Sequence, residues 1–274
     1  MITLKLKVQP SLPVEAEGIS PENFAGKTAQ EIQEILIWYG NSQVKVGDFF
    51  EVEVGKAAAK DQLPKVVLQG NLERFKRLGQ GMTAGEMEVE SSVGFHAGAF
   101  MQGGKLTIKG DAGDWLGSHM EGGTILVEGS VGNYVAAAQR GRDIGMTGGA
   151  IIVKGNAGQM LGSRMRRGLI AVGGDCGDVV GFKMAAGTII VKGKAALRAG
   201  ANMKRGTIII FQKPTMMPTF YKNCEYKPVF WKLLCKQLSE YGFELDEAQR
   251  NAVFTRYTGD ANTGGKGEIL TCLA

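Results

Sequence analysis

The 274 residues are 44% hydrophobic and 22% charged with a formal net charge of +5, the profile of a globular chain with ample core. No run of about 18 apolar residues and no secretory leader is present, so neither a membrane span nor export is indicated and a cytoplasmic location is expected. The low charge, with no aromatic side chains interleaved among the basic ones, argues against nucleic acid as a partner.

In chain order, residues 1–69 read as a cap that precedes a repeat. Ile2 to Val8 alternates like a strand, Lys27 to Leu36 carries a helical pattern, and Gly47 to Val54 reads as a second strand. Residues 70–212 are repetitive. Seven Met-x-x-Gly pairs occur, from Met82/Gly85 to Met203/Gly206, and successive methionines are 19, 19, 26, 19, 19 and 19 residues apart. A short β-rich run follows each pair, the first being Met87-Glu-Val89 and the last Ile208-Ile-Ile210. A fixed period near 20 residues is the signature of stacked repeats. The period is too short for strand–helix units, and glycine supplies the tight turns that several short strands need. The expected fold is therefore mainly β: a right-handed parallel β-helix, or solenoid, of about seven coils with small α/β caps at both ends. The 26-residue step marks a seven-residue insertion around Gln139 to Asp143.

Columns within the register separate inside from outside. Val93, Ala112, Val131, Ala157, Cys176 and Ala195 recur at one small apolar position, and the seven methionines at another, so both are expected in the core. The position between the core residues of each β run reads Glu88, Thr107, Leu126, Ile152, Ala171, Ile190 and Ile209. It turns apolar from the third repeat onward, so Leu126, Ile152, Ile190 and Ile209 are expected to be covered by a partner subunit, by the C-terminal segment, or by both. Residues 213–274 form the second cap, with an amphipathic helix over Phe230 to Tyr241 and a last strand over Lys266 to Leu270.

Little of the chain suggests catalysis. The two histidines, His96 and His119, fall at different points of the repeat, and a hydrogen-bonded surface histidine is a simpler account of each than metal or base chemistry. The four cysteines form no Cys-x-x-Cys pair, which argues against zinc or iron–sulfur ligation and fits reduced thiols. No phosphate loop, nucleophile triad or paired carboxylates are visible, so no catalytic or metal-binding residue is expected. One cluster stands out. Arg164, Arg166, Arg167, Lys183, Lys204 and Arg205 flank the methionine column in the last three repeats, and stacking would line them up as a basic strip for an anionic ligand or acidic partner. Arg140 and Arg142 in the insertion extend it. An ordinary solvated edge is the simpler account of such a strip.

The repeat Gly-x-x-Gly-x-x-x-Gly resembles the glycine-repeat β-helix domain of glutamate synthase. The whole chain is more similar to the C-type subunit of the formylmethanofuran dehydrogenase and formyltransferase/hydrolase complex family. That likeness rests on Gly40 to Val52, Gly81-Met-Thr-Ala-Gly85, Met165 to Ile170, Arg256-Tyr-Thr-Gly-Asp260 and Gly265 to Leu270. It implies a non-catalytic scaffold subunit beside A-, B- and D-type subunits, in a complex moving formyl groups between a furan carrier, formate or CO2 and a tetrahydromethanopterin-type carrier. It implies no cofactor in this subunit, with zinc, and in the dehydrogenase version a molybdenum or tungsten pterin, held by the partners. Furan carriers of the family bear glutamate-rich tails, which the basic strip would suit. The other class of function is a free-standing binding module, like the glutamate synthase domain, holding an acidic ligand or partner.

Overall fold

The computed structural model describes residues 1–55 and 63–272. The seven β runs become strands Glu86–Val89, Lys105–Ile108, Thr124–Val127, Ala150–Val153, Leu169–Val172, Thr188–Lys194 and Thr207–Gln212. They pair in parallel and in chain order within one 13-stranded sheet. Register follows the repeat: Ile125 sits beside Leu106 on one side and Ile151 on the other. The small-residue column makes a second parallel ladder, running from Leu72 through Val93, Ala112, Val131, Ala157 and Cys176 to Ala195. Between the two ladders, amides bond the preceding repeat again, as where Gly117 N–H donates to the Ala97 carbonyl at 2.9 Å. Consecutive repeats thus touch all the way round their circuit.

The glycines and polar residues explain why the turns stack. All seven Met-x-x-Gly glycines have positive φ, from 73° at Gly104 to 104° at Gly168, a region that costs L-residues energy. The neighbouring Gly122 has another reason: a Cβ there would lie 2.2 Å from the Gln102 carbonyl oxygen. Polar side chains cap the turns of the next repeat. Asp111 accepts from the Ser130 amide at 2.7 Å, Ser130 from Asn156 at 3.0 Å, Asn156 from Asp175 at 2.8 Å, and Asp175 from Lys194 at 2.7 Å. Each of these bonds satisfies a turn amide that would otherwise need water.

Two cores result. The first lies inside the stack, where all seven repeat methionines and the small-residue column are buried. The N-terminal segment shares this core through Phe24, Phe49, Phe50 and Phe75. The second lies on the opposite face of the sheet, where Ile152, Ile190 and Ile209 pack in one cluster with Trp231, Leu238, Phe243 and Phe254 of the C-terminal segment.

At the ends, the structure amends several expectations. The helix expected over Lys27 to Leu36 is confined to Ala29–Gln33, closed at its start by a Thr28/Glu31 capping box, and Leu36–Tyr39 is a strand. The stretch read as a strand from Gly47 begins as a helical turn, Val46–Phe49, because the Asp48 carboxylate caps the Lys45 amide at 2.9 Å; only Phe50–Val54 is extended. Lys65–Gln69, placed in the cap by sequence, pairs in parallel with Glu86–Val89 and with Ile2–Leu6. At the far end, helix Val229–Glu240 and strand Gly267–Cys272 lie where the pattern put them. Gly267–Cys272 continues the parallel series against Thr207–Gln212, and antiparallel Phe254–Gly259 and Tyr221–Tyr226 then close it.

Candidate functional site

The basic strip is divided by the register. Residues one position before the last three methionines are Arg164, Lys183 and Asn202, and those one position after are Arg166, Ala185 and Lys204. With Asp143, Ile144 and Thr263 they line one groove of about 630 Å³. Arg166, Lys183 and Lys204 are exposed, whereas Arg164 is half-buried and ion-paired to Asp143. Arg167 and Arg205 stand one position further along the chain and lie outside the groove lining. Four of the six strip residues are therefore brought together and two are not.

Next to this groove the insertion forms a fixed loop. The Gln139 amide donates to His119 Nε2 at 2.9 Å, and the Gln139 side chain donates to Ser118 Oγ at 3.1 Å. The Arg164 guanidinium donates to the Arg142 carbonyl at 3.1 Å, and the Arg142 guanidinium sits 5.2 Å from the Phe100 ring centre. His119 is thus a structural acceptor, stacked on Phe100 at 4.9 Å and only 7% exposed, not a surface residue. Burial, then the Arg142 charge, hold its pKa below the usual imidazole range. His96 stacks on Trp115 at 6.1 Å, and burial followed by Arg77 and Lys76 lower its pKa too.

The sequence singled out neither Trp115 nor Tyr134, which stack 4.5 Å apart beside the loop. Both belong to a column, Arg77, His96, Trp115, Tyr134, Met160, Val179 and Arg198, whose members all hold positive φ without being glycine. The signal was available: apart from Tyr134, whose repeat carries the insertion, each stands five residues before a repeat methionine.

Of the covers expected for the apolar outer face, the chain's own C-terminal segment is the one present. Ile152, Ile190 and Ile209 are at most 2% exposed beneath the chain's own C-terminal segment, so they have no surface to offer a partner; Leu126 is half-buried against the same cluster. The C-terminal segment brings enough aromatic area to cover them unaided. Cys176 is a core thiol whose pKa burial pushes up to about 12. Among the described residues no three His, Cys, Asp or Glu side chains are grouped to hold a metal. No helix among them is long and apolar enough to cross a membrane.

Comparisons with known proteins agree with this architecture. The GXGXG motif family model matches residues 67–241, well over half of the chain. Over 98 residues the chain is 47% identical to the C-type subunit of the tungsten-containing formylmethanofuran dehydrogenase 2 of Methanothermobacter marburgensis. That match spans 36% of each chain. It is 40% identical over 85 residues to the C-type subunit of the molybdenum-containing formylmethanofuran dehydrogenase 1 of Methanosarcina barkeri, spanning 31% of this chain and 28% of that one. A chain of the formyltransferase/hydrolase complex FhcABCD from Methylorubrum extorquens, solved with methylofuran, superposes with a TM-score of 0.88 at 32% identity. That superposition covers 99% of this chain and 100% of the other. The repeats thus define a protein of the GXGXG class. Within that class the chain belongs to the family of C-type subunits of formylmethanofuran dehydrogenase and the related formyltransferase/hydrolase complex.

Proposed function

We propose that this chain is the non-catalytic C-type subunit of a formyl-transferring complex with A-, B- and D-type partners. The observation that carries this reading is the end-to-end superposition on a chain of the FhcABCD complex. The C-terminal segments Arg256-Tyr-Thr-Gly-Asp260 and Gly265 to Leu270 favour the formyltransferase/hydrolase version. The backbone is taken as a right-handed parallel β-helix in residues 70–212 between caps 1–69 and 213–274, a reading the two parallel ladders support. Purification from the native host tests the assignment. The chain should co-elute with an amidohydrolase-like and a formyltransferase-like subunit, and the complex should release formate from a formylated furan carrier without an electron acceptor. A free monomer, or activity that depends on an acceptor, would refute it.

Within that complex, the groove of Arg166, Lys183 and Lys204 is suited to the carboxylates of a carrier's glutamate tail. Each exposed contact contributes at most about 1 kcal/mol and weakens with salt, so only their sum matters. Glutamine at all three positions should raise KM for the full-length carrier about tenfold while kcat, and activity on a tail-less analogue, stay unchanged. An equal response of both substrates would assign the groove to packing against a partner of the complex.

A further inference from the structure

The 13-stranded sheet ends on an open edge. Tyr221–Tyr226 is its last strand, and among the described residues its only strand partner is Phe254–Gly259. Five of its six residues are exposed, so the outward row of amides and carbonyls is left to solvent. Such an edge is a template for another strand, and its side chains decide which strand it accepts.

Those side chains are complementary to themselves. An antiparallel pair of identical strands is related by a two-fold axis perpendicular to the sheet, so residues that meet across it must stand on the same face. In a regular strand Lys222 and Glu225 would point to opposite faces. Here the ladder slips by one residue, with Lys222 opposite Tyr257 and Cys224 opposite Arg256, so that Asn223 is the extra residue of a bulge. The bulge brings Lys222 and Glu225 to one face, as their ion pair at 2.8 Å attests. Tyr221, Cys224 and Tyr226 take the other face, opposite Thr258, Arg256 and Phe254. Passing over Asn223, the edge therefore reads Tyr221, Lys222, Cys224, Glu225 and Tyr226, a palindrome in charge and shape. About an axis through Cys224, each lysine meets the glutamate of the second copy, each Tyr221 meets Tyr226, and Cys224 meets itself. Charges and a bulge discourage a foreign strand at an edge, but this set satisfies its own reverse.

A six-residue seam alone is small for a stable contact. The face of Tyr226 is also the face covered by helix Val229–Glu240, since Tyr226 and Trp231 pack in the same outer core. The two-fold keeps both helices on one side of the joined sheet. Val229, Phe230 and Leu233, in the first turns of that helix just beyond the strand, are exposed and supply apolar surface beside the seam.

We propose that two copies of this chain pair antiparallel along Tyr221–Tyr226, about a two-fold axis at Cys224. Light scattering on the full chain, alone and in its co-purified complex, should find two copies per particle. Diamide, which takes two electrons and two protons from a pair of thiols, should link the copies through Cys224. Facing residues of an antiparallel pair hold their Cα atoms about 4.5–5.5 Å apart, within disulfide reach. Cys224→Ser should abolish the link. Glu225→Lys sets lysine against lysine at both ends of the seam and should weaken dimerisation at least about tenfold. Adding Lys222→Glu restores the complement in reverse and should return the affinity to within about threefold, a rescue that a foreign strand would not show. All three positions are exposed, so the variants are expected to fold, which thermal melts would verify. A dimer without partner subunits would refute the assignment to a complex and leave this pairing standing. A single copy in either preparation, a dimer that Cys224 does not link, indifference to Glu225→Lys, or no recovery in the double variant would overturn the proposal.

Discussion

The outer face of the sheet is two surfaces built on one repeat. In the first repeats it is open and polar: Glu88 is clasped by Lys65 and Lys109, and Thr107 follows it in register. In the last repeats Ile152, Ile190 and Ile209 occupy the equivalent places and vanish under helix Val229–Glu240 and the segment after it. The inner columns hardly change between the two halves. One position per repeat therefore decides where the chain's own end lands, and the remaining positions keep the stack. Inner column and outer column can be changed separately, and the contrast between them makes measurable claims.

The largest effect should come from the inner column, which both halves share. Ala157→Asp would put a carboxylate at a site 6% exposed, between bridges to Val131 and Cys176. A loss of more than about 4 kcal/mol, or failure to yield soluble protein, is expected in denaturant unfolding. Next comes the covered half. Trp231 meets Phe254 edge-on at 5.2 Å, and Trp231→Ala should cost about 3–5 kcal/mol. That loss should be partly local: hydrogen exchange should rise across residues 221–259 while the strands of the first repeats stay protected. Uniform deprotection would mean that the two cores unfold as one.

A pH titration sharpens the picture at the polar side. The pKa values of His96 and His119 are lowered, so below about 6.5 the unfolded chain takes up protons that the folded chain refuses. Stability should be full above that pH and fall as pH drops through the folded values, and His119→Gln should flatten the slope. Glu88 is lowered as well, by hydrogen bonds from Lys109 and then Lys65, so its contribution persists above the ordinary carboxylate range and disappears in stronger acid. The smallest effect belongs here. Glu88→Gln at neutral pH should cost about 0.5–1 kcal/mol, since both lysines that hold it remain solvated. A larger loss would mean that the open half depends on its ion pairs as much as the covered half depends on its core.

The stack could be read from sequence because its physics is periodic. A methionine, a left-handed glycine and a β run every 19 residues leave one arrangement in which all seven register together. Where the period stops, local pattern competes with tertiary context, as at Lys65–Gln69, which looks like cap but pairs as a member of the stack. Basic residues beside the methionines were legible because stacking converts sequence spacing into proximity. Their division was not: Arg166 lines the groove and Arg167 does not, a difference of one residue in a turn whose direction no pattern encodes. Trp115 and Tyr134 escaped notice because their column mixes arginine, histidine, aromatics and methionine, and because the insertion hides the equivalence of Tyr134.

From Lys65 to Gln212 strand order in the sheet follows chain order, and the ladder of each repeat pairs with the one before and the one after. During synthesis, each 19-residue segment leaving the ribosome thus finds its template already laid down, with a short loop to close rather than a long one. Growth can proceed rung by rung from the N-terminal end. The growing end would stay sticky until Gly267–Cys272 docks beside Thr207–Gln212. Until that strand is translated, the nascent chain carries an unpaired parallel strand and a bare row of isoleucines. That interval is when a chaperone would have most to do.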